Sequence, residues 1–304
     1  MSFDQLMEHA RDITDKAVDL TAKEIAQKKA TQSGANPDRN AIRQSYAFIE
    51  GMFEPFSRLP DPVRYDPLIA DVNAAMAKLN TGSVRTTELS NDVSLTNPHL
   101  DKMTTDGGYL QGWTGDAAMA FKANFVDTFK SIAGNQFTVL SILKGVLQAH
   151  RAMWLKARDD IDKIAENTKN ALDNAGGCGK NQWSFDFSVL SAVGAVGGVV
   201  VAVATGGVVP LAAIGALASV GSAGVAGLTA AGDSAEKIVN SMKQAIDELT
   251  RHVQEVETQQ IAEKVRALTE AVQGNKDKLV SARPNLAGMN DRDLVGDSGM
   301  GKSD

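Results

Sequence analysis

The run Gly296-Asp-Ser-Gly-Met-Gly301-Lys302-Ser303 fits the spacing G-x-x-x-x-G-K-[ST], in which a backbone cradle and a lysine grip the phosphates of a nucleotide. That chemistry needs a strand leading into the cradle and a helix leading out, so that free amides point at phosphate. Only Asp304 follows Ser303 and the flanks are rich in Gly and Ser, so the match is expected to be accidental. His9, His99, His150 and His252 lie far apart and form no metal-binding spacing. His150 falls on an apolar helical row, where a hydrogen-bonded core histidine is the expectation. Asp159-Asp160 sits among basic residues on a predicted helix and reads as a solvated face. Cys178 has no pairing with a histidine that would suggest a nucleophile. Chemistry of the chain's own is therefore not expected, and no cofactor or metal is implied.

The bulk properties agree. Of 304 residues, 43% are hydrophobic and 22% charged, which predicts a folded chain. Lys and Arg number 31 against 37 Asp and Glu, a net charge of −6, so nothing marks the chain for nucleic acid. One cysteine excludes an internal disulfide and a thiolate metal cage. Met1-Ser-Phe-Asp-Gln-Leu-Met-Glu lacks the basic start and apolar core of a cleavable signal, so export by the general route is not expected.

Helical spacing dominates the pattern. Phe3, Leu6, Ala10, Ile13, Ala17 and Leu20 recur every three or four residues, and the row turns polar at Glu24 and Gln27. Ile42, Tyr46, Ile49 and Phe53 define a second helix that ends or kinks at Pro55 and is over by Pro60. Two antiparallel helices joined by a turn are the natural result. Leu68, Ile69, Val72, Met76 and Leu79 give a third helix, followed by a polar connection from Ser83 to Gly112. Phe125, Ile132, Val139, Val146 and Met153 then recur every seven residues, with Phe129, Gln136, Leu143, His150 and Ala157 beside them. Two interleaved heptad rows predict a long helix with a coiled-coil-like seam, running to Asp173. Ile238, Met242, Leu249, Val253 and Val256 begin a last amphipathic helix that reaches about Leu279, and Pro284 to Asp304 reads as a disordered tail.

Two short patterns stand out against this frame. Trp113-Thr-Gly115 falls at the turn before the long helix, with Thr at a capping position and Gly allowing close approach. Tyr46-Ala-Phe-Ile-Glu50 places an aromatic and an acid one helical turn apart, on one face. Gln111-Gly-Trp-Thr-Gly-Asp-Ala-Ala-Met-Ala-Phe121 resembles the Trp-x-Gly turn and second-helix start of the WXG family, helical hairpins exported by ESX (type VII) secretion systems. Tyr46 and Glu50 fit that family's Tyr-x-x-x-Asp/Glu export signal. Their order, tyrosine in a first hairpin and Trp-x-Gly in the next, is similar to that of PE/PPE-type substrates. The first hairpin is short for that family and the connection from Gly82 to Gly112 is long. The resemblance implies that Trp113, Gly115, Tyr46 and Glu50 are recognised by the ESX machinery. Its ATPase is the implied partner, with a chaperone and a second copy of the chain left open. The chain would be secreted or held at the cell envelope.

One compositional anomaly remains. From Phe187 to Gly232 there is no charged residue, and Val, Ala, Gly and Leu dominate. Thr205-Gly-Gly-Val-Val-Pro210 divides the run into halves of about 18 to 22 residues, each near the length of a bilayer-spanning helix. A helical hairpin is expected here. It is either core clamped within the bundle or a segment that inserts into lipid, a layout similar to helical pore-forming toxins of the cytolysin A type. In the second case Val199, Val200, Val201, Val208, Val209, Leu211, Ile214 and Leu217 would contact membrane. The resulting expectation is an all-α, elongated bundle of long antiparallel helices. Its parts are a hairpin over 1–62, a Trp-x-Gly hairpin over 63–176, the uncharged hairpin over 177–232, an amphipathic helix over 233–281 and a tail over 282–304. A stand-alone membrane-active toxin is the alternative to a secreted ESX substrate.

Overall fold

A computed structural model describes residues 3–29, 37–79, 84–86, 119, 121–175, 182–190, 201–203 and 226–281, and helices account for most of them. The elements in chain order are α1 (Phe3–Lys29), α2 (Arg39–Ser45), α3 (Phe48–Ser57), a 3-10 turn (Pro62–Arg64), α4 (Tyr65–Leu79) and β1 (Val84–Thr86). A π turn (Lys122–Val126) then leads into α5 (Asp127–Asn174), followed by β2 (Gln182–Phe187), β3 (Val201–Val203) and β4 (Ala226–Ala231). The last are α6 (Ala235–Glu255), a π segment (Val256–Ile261), α7 (Ala262–Gly274) and α8 (Lys276–Leu279). The chain divides into two compact units that interleave along the sequence. The first is Met1–Tyr65, Ala149–Ala195 and Val220–Ile261; the second is Asp66–Gln148, Val196–Ser219 and Ala262–Asp304.

In the first unit, α1 buries Leu6, Ala10, Ile13 and Ala17, the row that its spacing selects. Its opposite flank fixes the direction of its partner. Asp19 pairs with Arg39, Asp15 with Arg43 at 2.6 Å and Arg11 with Glu50 at 3.7 Å, so positions fall on α1 as they rise on α2 and α3. The two arms are antiparallel. These pairs are solvent-exposed and each contributes about 0–1 kcal/mol, so they set register more than stability. Ile42, Ile49 and Phe53 supply the apolar contact from the second arm. Asp38 starts that arm by accepting from the amides of Asn40 and Ala41. The arm breaks at Tyr46-Ala47, well before Pro55, and α3 then continues through Pro55 to Ser57.

The sheet in this unit is a two-stranded antiparallel ribbon, with Gln182 opposite Ala231 and Phe187 opposite Ala226. Strand β2 alternates outward Ser184 and Asp186 with buried Phe185 and Phe187, the two-residue period of a half-buried strand. Ser234 caps α6 by accepting from Lys237, and Ile238, Val239, Met242, Ala245, Ile246 and Leu249 form its buried stripe. Full burial of each larger aliphatic chain there contributes about 1.5–3 kcal/mol.

In the second unit, Phe137 of α5 and Met76 of α4 are buried against each other, with Val72, Leu79 and Leu140 around them. The side-chain amides of Asn135 and Gln136 donate to the carbonyls of Lys278 at 2.9 Å and Leu279 at 2.6 Å, satisfying the open end of α8. Strands β1 and β3 pair antiparallel, Thr86 opposite Val201 and Val84 opposite Val203.

The all-α expectation is thus corrected at the uncharged run: the protein is mostly helical, and the described residues at its margins and at 201–203 are largely strands. Composition explains part of this: glycine costs up to about 1 kcal/mol in a helix relative to alanine, and the aromatic and β-branched residues of β2 and β3 favour the pleated chain, whereas β4 is extended through its pairing with β2. Gly232, where the ribbon turns into α6, has no room for a side chain: a Cβ there would lie 2.9 Å from Cβ of Lys237. Gly51 in α3 faces open space. Chemical denaturation should therefore separate the two positions. Gly232→Ala is expected to destabilise by about 1–3 kcal/mol, and Gly51→Ala to stabilise by about 0.5–1 kcal/mol.

Candidate functional site

Tyr46 occupies the break between α2 and α3, where its carbonyl accepts from the amide of Ile49 at 3.1 Å. The turn swings its side chain inward. Its ring is buried and its hydroxyl shares a 2.9 Å hydrogen bond with Thr21 of α1. Burial pushes the phenol above its ordinary value, the Thr21 hydrogen bond opposes this, and Glu24 and Glu236 add to the rise, so Tyr46 is a neutral packed group. Glu50 lies in the first turn of α3, half-exposed, beside Arg11. Tyr46 and Glu50 therefore divide their roles, one turned into the unit and one toward solvent, rather than forming a shared exposed face.

The first unit also contains a polar cluster at the margin of the uncharged run. Asp160 of α5 is 1% exposed. One carboxylate oxygen accepts from the amides of Ser188 at 2.7 Å and Val189 at 3.0 Å, and the other from the Ser188 hydroxyl at 2.7 Å. Residues 189–190 are helical, and Asp160 reaches the amides of Ser188 and Val189 from outside that segment. Burial raises the carboxyl above its usual range; the Ser188 and Val189 hydrogen bonds and Lys163 counter this. Its neighbour Asp159 pairs instead with Lys163 at 2.7 Å on the surface. The solvated face expected of both residues holds for Asp159 alone.

The ring of His252 packs on Phe187 of β2 with centroids 5.5 Å apart. Its side chain is 4% exposed, with Glu248 at 3.2 Å and Glu255 at 3.9 Å. Burial and then Arg251 lower its pKa, while Glu248, Glu255 and Asp160 oppose. His150 is half-buried beside the ring of Tyr65 at 5.8 Å, and burial lowers it too. The Tyr65 hydroxyl in turn accepts from the Trp154 indole at 3.2 Å. Among the described residues there is no group of three or more His, Cys, Asp or Glu side chains able to hold a metal.

The other predicted site residues are placed as follows. Val201 lies in β3. Trp113, Gly115, Val199, Val200, Val208, Val209, Leu211, Ile214 and Leu217 lie outside the described residues, as do Cys178 and the phosphate-loop-like run at 296–303. No described helix is long and apolar enough to cross a membrane. No family model, curated protein or solved structure matches this chain. Asp160 and His252 are the residues that motif reasoning passed over. A signal for Asp160 was present, since it continues the heptad row of Val146 and Met153 by one further step of seven.

The depressed His252 fixes a sign for pH dependence. The folded chain takes up this proton less readily than the unfolded chain, whose histidine titrates near about 6.5. Stability from this site is present at neutral pH and is lost as pH falls through that value toward the folded pKa. Denaturation at a series of pH values should show a shallower loss between about pH 7 and 5 for His252→Gln than for the wild type.

Proposed function

We propose that this chain is a non-enzymatic substrate of an ESX (type VII) secretion system, similar to fused PE/PPE-type proteins. The observation that carries the reading is the order of its parts. An antiparallel helical hairpin bears Tyr46-x-x-x-Glu50 on its returning arm, and Trp113-x-Gly115 follows ahead of the long helix α5. Glu50 and the hairpin's outer surface are the accessible half of the signal, and Tyr46 holds the arm in the shape that presents it. The ATPase of the machinery is the partner expected to read it, and the secreted chain reaches the medium or the cell envelope.

A membrane-active role, as part of this function or alone, has its own support. The β2–β4 pairing brings the two ends of the uncharged run together, so that residues 191–225 leave and return at one place. Val201–Val203 within this segment also pairs with β1, so a change of surroundings requires that short ladder to part as well.

Secretion of full-length variants tests the first reading. Glu50→Gln and Trp113→Ala are expected to fold normally and accumulate in the producing cell. Tyr46→Phe, which loses one hydrogen bond at a cost of about 0.5–1.5 kcal/mol, should lower export less. Unchanged export of all three removes the basis of the reading. Flotation with liposomes tests the second: the intact chain should float and a chain lacking 191–225 should not, and equal flotation excludes it.

A further inference from the structure

The uncharged run has no charge with which to hold itself to the helices, yet charges from two helices reach its ends. At one end Asp160 of α5 takes the amides of Ser188 and Val189 and the Ser188 hydroxyl. At the other, just past β4, a Glu24 carboxylate oxygen of α1 accepts from the amide of Ala235 at 3.0 Å. Between them Asn167 of α5 donates to the carbonyl of Ser184 at 3.1 Å. Apart from the Ser188 hydroxyl, every one of these bonds is made to backbone. We infer that Asp160 and Glu24 are paired fastenings that seat both ends of the β2–β4 ribbon on the first unit, and that their release is the step that frees the ribbon toward a lipid surface.

The inference rests on the membrane-active reading above and adds how that activity would be restrained. Apolar contact alone cannot supply the restraint. Phe185 and Phe187 are buried against the unit, but burial is non-directional, and a phenylalanine ring loses little in exchanging one apolar surrounding for another. The amides of Ser188, Val189 and Ala235 do discriminate, because hydrocarbon offers them no acceptor and each unsatisfied group there is costly. The fastenings therefore decide between the seated and the lipid-bound ribbon. Burial raises the Asp160 carboxyl, so its ionised form is held at a cost that offsets part of its three hydrogen bonds. Glu24 is only partly buried and holds a single amide.

The test uses the full-length chain, Asp160→Asn, Glu24→Gln, the double variant, and Ser188→Ala, which removes only a hydroxyl. Native-state hydrogen exchange reads the fastenings directly. Asp160→Asn should speed exchange at Ser188 and Val189 on the order of tenfold, Ser188→Ala should do so less, and Glu24→Gln should act at Ala235. Ile246 and Leu249 in the buried stripe of α6 should keep their protection. Unchanged exchange at the three amides overturns the proposal, as does equal loss of protection at Ile246 and Leu249 in every variant, Ser188→Ala included. Flotation with phosphatidylcholine–phosphatidylglycerol vesicles reads the consequence, with the double variant expected to float in greater proportion than the wild type. Local acceleration with no flotation by any protein establishes the fastenings and overturns the membrane-active reading. Local acceleration with equal flotation of wild type and double variant overturns the restraint.

Discussion

A chain that leaves a strand and enters a helix carries backbone amides that neither element satisfies, and in a buried setting each needs an acceptor. This constraint falls on both margins of the uncharged run, after β2 and before α6. Ser234 caps α6 from within the sequence, but it reaches Lys237 and leaves Ala235 to Glu24. Ser188 has no adjacent acid, and Asp160 serves it across 28 residues. The polarity of positions that look out of place on α1 and α5 follows from this need. Glu24 stands where an apolar row turns polar and Asp160 extends another, and each accepts from a backbone amide far along the chain.

The same economy governs the first hairpin. Its apolar face could pack in more than one register, because Leu6, Ala10, Ile13 and Ala17 repeat at nearly equal steps. The outer row of Arg11, Asp15 and Asp19 meets Glu50, Arg43 and Arg39, opposite in sign at all three positions. A shift by one turn would keep one attractive pair, Asp15 with Arg39, but would set Arg11 against Arg43. Weak surface pairs thus choose among alignments that burial leaves nearly equal, which is a question of difference rather than of total energy.

How far the sequence could be read depended on period. The helical rows of α1, α3, α4 and α6 were legible because apolar residues recur at three and four; the buried side chains follow those rows on α1, α3 and α6, while on α4 Met76 is buried and Leu68 is exposed. The two strands of the ribbon differ in this respect. Trp183-Ser-Phe-Asp-Phe187 alternates aromatic and polar residues and carries its own signal of a strand. Ala226-Gly-Leu-Thr-Ala-Ala231 carries none; it is extended because β2 offers it a ladder, a pairing between distant segments that no local pattern encodes. Asp160 was obscured by its neighbour. Two adjacent acids look alike in sequence, and only the phase of α5 turns one inward and the other to Lys163.

Phase also explains the division between Tyr46 and Glu50. On an uninterrupted helix, residues four apart share a face, and both would point the same way. The break at Tyr46-Ala47 interrupts that relation: Tyr46 closes α2 with its hydroxyl on Thr21, and Glu50 begins again in the first turn of α3. An acid suits that place, since the first turn of a helix carries partial positive charge. A tyrosine suits the other, because a buried break needs bulk to fill it and a polar tip that can find a partner. The spacing that resembles an export signal is therefore also what local helix geometry asks for at this bend. Any recognition of the pair must read an exposed carboxylate together with the shape that the buried ring maintains.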